Sequence, residues 1–155
     1  MKLIPILAIA TLTLPCFSQT PGTAQVFSGG EVTSQISALV PAARATGSSG
    51  TTLGDYKTHA IKLSVRTASG GAEVHAHYDD IFIVTRGKAR LVTGGTVLNA
   101  KTGDDGETKG SGIQDGKSQT IVKGDIVHIP AGTPHQLLLA PGDVFGAIVI
   151  KVREG

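Results

Sequence analysis

Two histidines near the middle of the chain have the spacing of metal ligands. His75 and His77 lie two residues apart in the segment EVHAH, residues 73–77. Side chains two residues apart on a β-strand project from the same face, so both imidazoles can converge on one ion. Asp79 and Asp80 follow, and a hairpin that folds back here brings one carboxylate beside the histidines. Imidazole with carboxylate suits Mn, Fe, Ni or Zn, whereas an isolated pair of histidines is more often packed or solvated.

A second motif supplies a third histidine, His135. Residues 124–135 read GDIVHIPAGTPH, which is glycine, five residues, Pro-x-Gly, two residues and histidine. With the earlier HxH segment, this motif resembles the pair of motifs that defines the cupin superfamily. The glycines and proline at the matching positions are Gly70, Gly87, Gly124, Pro130 and Gly132.

The resemblance implies four metal ligands, namely His75, His77, Asp80 and His135. Asp80 takes the position of the family's glutamate and keeps the usual distance to the glycine at 87. Two residues separate His77 from Asp80 where the family has three or four, and aspartate is shorter than glutamate. Asp79 is therefore an alternative ligand. A site of three histidines plus water, with the carboxylate orienting an imidazole, is another alternative.

Short strands separated by glycine must position these residues. The chain has 21 glycines among 155 residues, and from Tyr56 onwards segments of period two recur about every ten residues. The pattern predicts an all-β chain, and the resemblance implies a single-domain cupin jelly-roll β-barrel over residues 56–153. Residues 19–55 form an N-terminal extension, with a short amphipathic helix that ends by Val40 because Pro41 follows. A loop is predicted over residues 45–55 and another over 101–112.

Three further residues have chemistry to offer. His59 shares a strand face with Ile61 and Leu63; if that face points into the barrel, His59 is a candidate catalytic group for proton transfer. Otherwise it is a core or rim histidine. Arg66 and Arg86 lie on polar strand faces, where each either holds an anionic substrate through paired hydrogen bonds or is simply solvated.

The first 18 residues predict a secretory signal peptide. A positive Met1-Lys2 start precedes an apolar stretch and Pro15, and small residues place the cleavage after Ser18. Lipidation at Cys16, which would tether the domain to a membrane, is the alternative. Cys16 is the only cysteine, so the cleaved chain has none, which excludes thiol catalysis and cysteine metal sites. We expect an exported protein, periplasmic or extracellular, without membrane contact after cleavage.

Charge and resemblance together restrict the function. The formal net charge is +2 without clustered basic residues, which argues against nucleic acid as a partner. The resemblance implies one divalent transition metal and a small-molecule ligand. We expect an enzyme acting on a small oxygenated organic molecule, with dioxygenase-, decarboxylase- or isomerase-like chemistry. The alternative is a non-catalytic cupin that binds a metal or metabolite, and exposed strand edges favour a homodimer in either case.

Overall fold

The computed structural model describes residues 22–154, so the predicted signal peptide lies outside the described residues. One helix, α1 (Gly29–Thr46), precedes the strands, and no helix in this range is long and apolar enough to cross a membrane. The strands are β1 Ser48–Asp55, β2 His59–Arg66, β3 Ala72–His75, β4 Tyr78–Arg86, β5 Lys88–Thr93, β6 Thr96–Leu98, β7 Lys101–Thr102, β8 Glu107–Gly110, β9 Gly112–Gln114, β10 Lys117–Val122, β11 Ile126–Ile129, β12 His135–Leu138 and β13 Phe145–Arg153.

Two antiparallel sheets form the body of the domain. The five-stranded sheet has the order β1-β2-β13-β4-β11, the six-stranded sheet has the order β10-β5-β12-β3-β8-β7, and β6 pairs with β9. Side chains from both sheets form one apolar core between them: Phe82, Val84, Ala89, Leu91, Ile121, Ile129, Leu137, Phe145 and Ala147. The all-β jelly-roll prediction is confirmed, although within residues 22–154 the sheets do not close into a continuous barrel.

Helix α1 runs past the proline that was expected to stop it. Ser28 caps its N-terminus by accepting a hydrogen bond from the Glu31 N–H, and Gly47, with φ of 88°, caps its C-terminus. The expected end at Val40 is wrong because Ala43, beyond Pro41, is completely buried. Burial of this last turn against the five-stranded sheet offsets the hydrogen bond that Pro41 cannot make, a loss of about 3 kcal/mol in an exposed helix.

The predicted loop over residues 45–55 is instead strand β1, an edge strand that pairs with β2. Its glycine and serine content suggests a turn, but the composition does not prevent pairing. Gly50 shows why glycine suits this strand, because a Cβ at that position would lie 2.8 Å from the carbonyl oxygen of Leu63. Close backbone approach, rather than chain reversal, explains this glycine.

The predicted loop over residues 101–112 is also largely strand. Strand β8 pairs with β3, and the register places Glu107 opposite His75. A short turn over residues 103–106 connects β7 to β8. Long-range pairing with β3 overrides the polar composition of the segment, and it brings a carboxylate to the histidine motif.

Candidate metal centre

A cavity of about 460 Å³ lies between the two sheets. Its walls come from β1, β2, β4 and β13 on one side and from β3 and β12 on the other. Apolar side chains, Phe82, Leu137 and Val149, line part of it. The remaining lining is polar and includes both candidate histidines, His75 and His135.

His135 enters this cavity from the start of β12. The register pairs it with Glu73 on β3, so the two motifs meet directly within the six-stranded sheet. The Nδ1–H of His135 donates to the carbonyl oxygen of Thr133 at 3.0 Å, which leaves Nε2 unprotonated in the neutral ring. Burial is the largest influence on its pKa and lowers it. His135 is therefore held as a neutral imidazole whose Nε2 lone pair can bind a metal.

His75 lies beside His135 at the end of β3, and the ring centroids are 5.1 Å apart. Its Nδ1 contacts the Glu107 carboxylate, and its Nε2 lies 3.3 Å from Asp80 Oδ2 and 3.9 Å from Glu73 Oε2. Burial lowers the pKa of His75, but hydrogen bonds to Asp80 and Glu107 outweigh burial, and the net shift is upward. In both histidines, Nδ1 is anchored by an oxygen and Nε2 faces the carboxylates.

Asp80 is the buried carboxylate of the centre. It is 4% exposed, and it accepts a hydrogen bond from Lys151 Nζ at 2.7 Å on Oδ1 while Oδ2 faces the histidines. Burial raises its pKa, but the hydrogen bonds from His75 and Lys151 prevail and lower it. Asp80 is therefore ionised, with one oxygen neutralised by Lys151 and the other directed to the histidines.

Asp79 lies on the opposite face of β4 because successive strand residues alternate. Its Oδ1 accepts from the Ala131 N–H at 2.8 Å, and its Oδ2 lies 3.1 Å from His128 Nε2. These hydrogen bonds, the backbone one first, lower the pKa of Asp79. Asp79 therefore holds the Pro-x-Gly loop in place, whereas Asp80 faces the cavity.

No protein-family model matches the chain, and no curated protein sequence matches it. Solved structures do. The DMSP lyase DddQ from Ruegeria pomeroyi DSS-3 has 16% identity and a TM-score of 0.52 over 71% of this chain, and the match spans 49% of DddQ. The polyketide cyclase RemF from Streptomyces resistomycificus has 18% identity and a TM-score of 0.50, over 70% of this chain and 67% of RemF. TT1209 from Thermus thermophilus has 12% identity and a TM-score of 0.51, over 70% and 85% of the two chains.

DddQ and RemF are cupin-superfamily proteins. The chain has the cupin fold. At these identities, the likeness concerns the fold alone, and the chain spans about half the length of DddQ. What the cupin fold does in this protein therefore depends on the residues that line its cavity.

His77 is not part of the cluster in this cupin. Strand β3 ends at His75, and His77 lies in the bend that leads to β4, where its ring is exposed beside Gly106. The same-face argument requires both histidines to be on the strand, and the chain leaves the strand between them. The short connection from β3 to β4 is the physical reason for this placement.

His59 also lies away from the cavity. It shares its strand face with Leu63 and Val65, and that face is covered by α1 rather than turned into the barrel. Its ring stacks on Tyr56, with centroids 4.8 Å apart, and its Nδ1 lies 3.1 Å from Thr58 Oγ1. The condition for a proton-transfer role, an inward-facing position, is not met in this structure.

Three residues of the site were not singled out from the sequence. Glu73 precedes His75 by two residues on β3, so strand alternation could have identified it. Glu107 and Lys151 are 32 and 71 residues from their partners His75 and Asp80. No local pattern connects residues so far apart, and only strand pairing brings them to the centre.

The donor set fits a divalent transition metal. Ligand atoms of Glu73, His75 and His135 all lie within 4.8 Å of one another, close to the spacing of about 3 to 4 Å between ligands of one first-row ion. Anchoring of a ligand's Nδ1–H by a carboxylate or carbonyl is the usual support for metal-binding histidines. The cupin cavity thus contains a candidate divalent metal site, built from two histidines and a glutamate with Asp80 adjacent.

Proposed function

We propose that this protein is an exported, metal-dependent cupin enzyme that acts on a small oxygenated organic molecule. The observation that carries the proposal is the pair of anchored histidines, His75 and His135, whose Nε2 atoms meet carboxylates inside a cavity of about 460 Å³. A cavity of this size accepts a small molecule beside the ion. Dioxygenase-, decarboxylase- and isomerase-like reactions are the candidate chemistries.

His75, His135 and Glu73 hold the metal in this proposal, with Asp80 as a further ligand or as a hydrogen-bond acceptor beside it. A bound Mn, Fe, Ni or Zn ion supplies Lewis-acid chemistry, or activation of dioxygen or water. Glu107 and the Thr133 carbonyl fix the orientation of the two imidazoles. Phe82, Leu137 and Val149 reduce the water content around the bound molecule.

Metal analysis tests the proposal directly. The protein is purified without a metal-affinity tag, and Mn, Fe, Ni and Zn are measured by mass spectrometry before and after reconstitution. We expect one equivalent of metal in the wild type and its loss in His75→Ala and His135→Ala, while both variants stay folded by circular dichroism. His128→Ala is the matched control, since His128 pairs with Asp79 outside the cavity. A wild-type protein that takes up no metal would refute the proposal.

A second pair of variants decides the ligand set. The cupin resemblance implies His77 as a ligand, whereas the geometry favours Glu73. We expect Glu73→Gln to lose metal affinity and His77→Ala to keep it. The reverse result would restore His77 to the ligand set and show that the bend between β3 and β4 rearranges when the ion binds.

Turnover separates an enzyme from a binder. Metal-loaded protein is incubated with diols, keto acids, phenols and sugars, and oxygen consumption and product formation are followed. Turnover that disappears in His75→Ala supports the enzyme. Stoichiometric metal with no turnover across the panel favours a non-catalytic metal- or metabolite-binding cupin.

Export and self-association belong to the proposal as well. The N-terminal sequence supports export, and intact-mass measurement of the protein from the periplasm or medium should find Gln19 as the first residue. A lipid mass on Cys16 would instead favour the tethered alternative. Sedimentation of the purified domain tests whether it forms a homodimer.

A further inference from the structure

Three basic side chains line the cavity, but only one has an acidic partner. Lys151 is paired with Asp80 at 2.7 Å. Lys62 and Arg66 also line the cavity, and among the ion pairs of residues 22–154 neither of them appears. Glu73 and Asp80 are the acidic residues of the lining, so the cations outnumber the anions, and a divalent ion would add to the surplus.

Arg66 has a defined place on the cavity wall. Its guanidinium lies against Gly70, where a Cβ would be only 2.5 Å from Nη1. The Gly70 backbone is itself held, because its N–H donates to the Leu137 carbonyl at 2.9 Å and its carbonyl accepts from Gln136 Nε2 at 2.9 Å. Glycine at position 70 therefore leaves the space in which the guanidinium lies.

Lys62, Ser64 and Arg66 share the cavity-facing side of β2. The two cations are four residues apart, which is about 13 Å along a strand, and Ser64 lies between them. Lys62 is opposite Val149 on β13, two residues from Lys151 on the same strand. This wall therefore presents hydrogen-bond donors along its length, from the Gly70 turn towards the metal centre.

We infer that the cavity binds a small organic anion, whose carboxylate or phosphate group is held by Arg66 and Lys62 while the rest of the molecule faces the histidines. Arginine binds both oxyanions through paired hydrogen bonds, and half-burial of its side chain strengthens them. That this anion is the substrate rests on the proposed function. Binding of the anion itself does not depend on it.

Calorimetry with matched ligands tests the charge requirement. Benzoate and phenyl phosphate are compared with the neutral benzamide and benzyl alcohol, using both metal-free and metal-loaded protein. We expect at least one anion to bind about tenfold more tightly than its neutral analogues in the metal-free protein, as for charge-assisted hydrogen bonds. The better anion identifies the group. Equal affinities for charged and neutral ligands would overturn the inference.

Variants then locate the anion. We expect Arg66→Gln to weaken binding about tenfold and Arg86→Gln, its control on the exposed end of β4, to leave binding unchanged. Gly70→Ala should also weaken binding, since it keeps the positive charge but displaces the guanidinium. Should Arg66→Gln fail to fold, Lys62→Gln at an exposed position carries the test. Wild-type affinity in the folded cavity variants, or an equal loss in Arg86→Gln, would overturn the assignment.

The two proposals fail separately. A protein that holds no metal but prefers benzoate or phenyl phosphate through Arg66 refutes the metal centre and supports the anion site. A protein that holds metal on His75 and His135 but shows no preference for anions refutes the anion site alone.

Discussion

The two faces of strand β2 have opposite roles. Leu63 and Val65 on one face are 1% and 0% exposed and pack with Val32 and Ile36 of α1. Lys62, Ser64 and Arg66 on the other face line the cavity. Alternate residues of one strand thus belong to a helix interface and to a candidate binding site.

This difference shows how a small domain keeps a polar cavity without losing its core. Because α1 covers the outer face, β2 contributes buried apolar area there, and its inner face is free to carry cations. The apolar core between the sheets is built mainly from other strands. Substitutions on the two faces should therefore affect different properties, namely stability on the helix side and binding on the cavity side.

The largest expected effect is on the helix side. Leu63→Ala should lower the free energy of unfolding by about 2 to 5 kcal/mol, because it removes a fully buried side chain beneath α1. Urea unfolding measures the loss. Ser64→Ala, the next residue but on the cavity face, should change the free energy by less than about 0.5 kcal/mol. Equal effects at the two positions would contradict the division between the faces.

A smaller effect is expected on the cavity side, from the residue that orients His75. Glu107→Gln should weaken metal binding about 10- to 100-fold with little change in stability, because the charged partner of Nδ1 is lost. Competition with a metal-sensitive chelating dye measures the affinity. Glu31→Gln, which removes the same charge from the first turn of α1, should leave it unchanged. Unchanged affinity in Glu107→Gln would show that His75 needs no anchor.

The smallest predicted effect has the opposite sign. Lys151→Gln should strengthen binding of a divalent ion about tenfold, because it removes a positive charge and frees Asp80 Oδ1. Lys117→Gln on the exposed strand β10 is the control. No change in Lys151→Gln would mean that Asp80 is not coupled to the ion, and a site of histidines and Glu73 would then explain the binding.

Much of the fold and part of the site could be predicted from local patterns. Alternation of polar and apolar residues predicted the strands from residue 56 onwards, because each strand must bury one face. Composition failed where pairing partners decide the structure, at β1 and β8. Pro41 was taken as a helix end because local rules count the lost hydrogen bond but not the burial of Ala43 that follows it.

The sequence by itself determined the cupin fold, through its glycine-punctuated strands and its two motifs, and it placed His75 and His135 in those motifs. Only the tertiary structure decided which side chains surround them. The turn after His75 takes His77 out of the cluster, and strand pairing brings in Glu107 and Lys151. The physical reason is that the face on which a residue lies follows from local alternation, whereas what it meets follows from the register between distant strands.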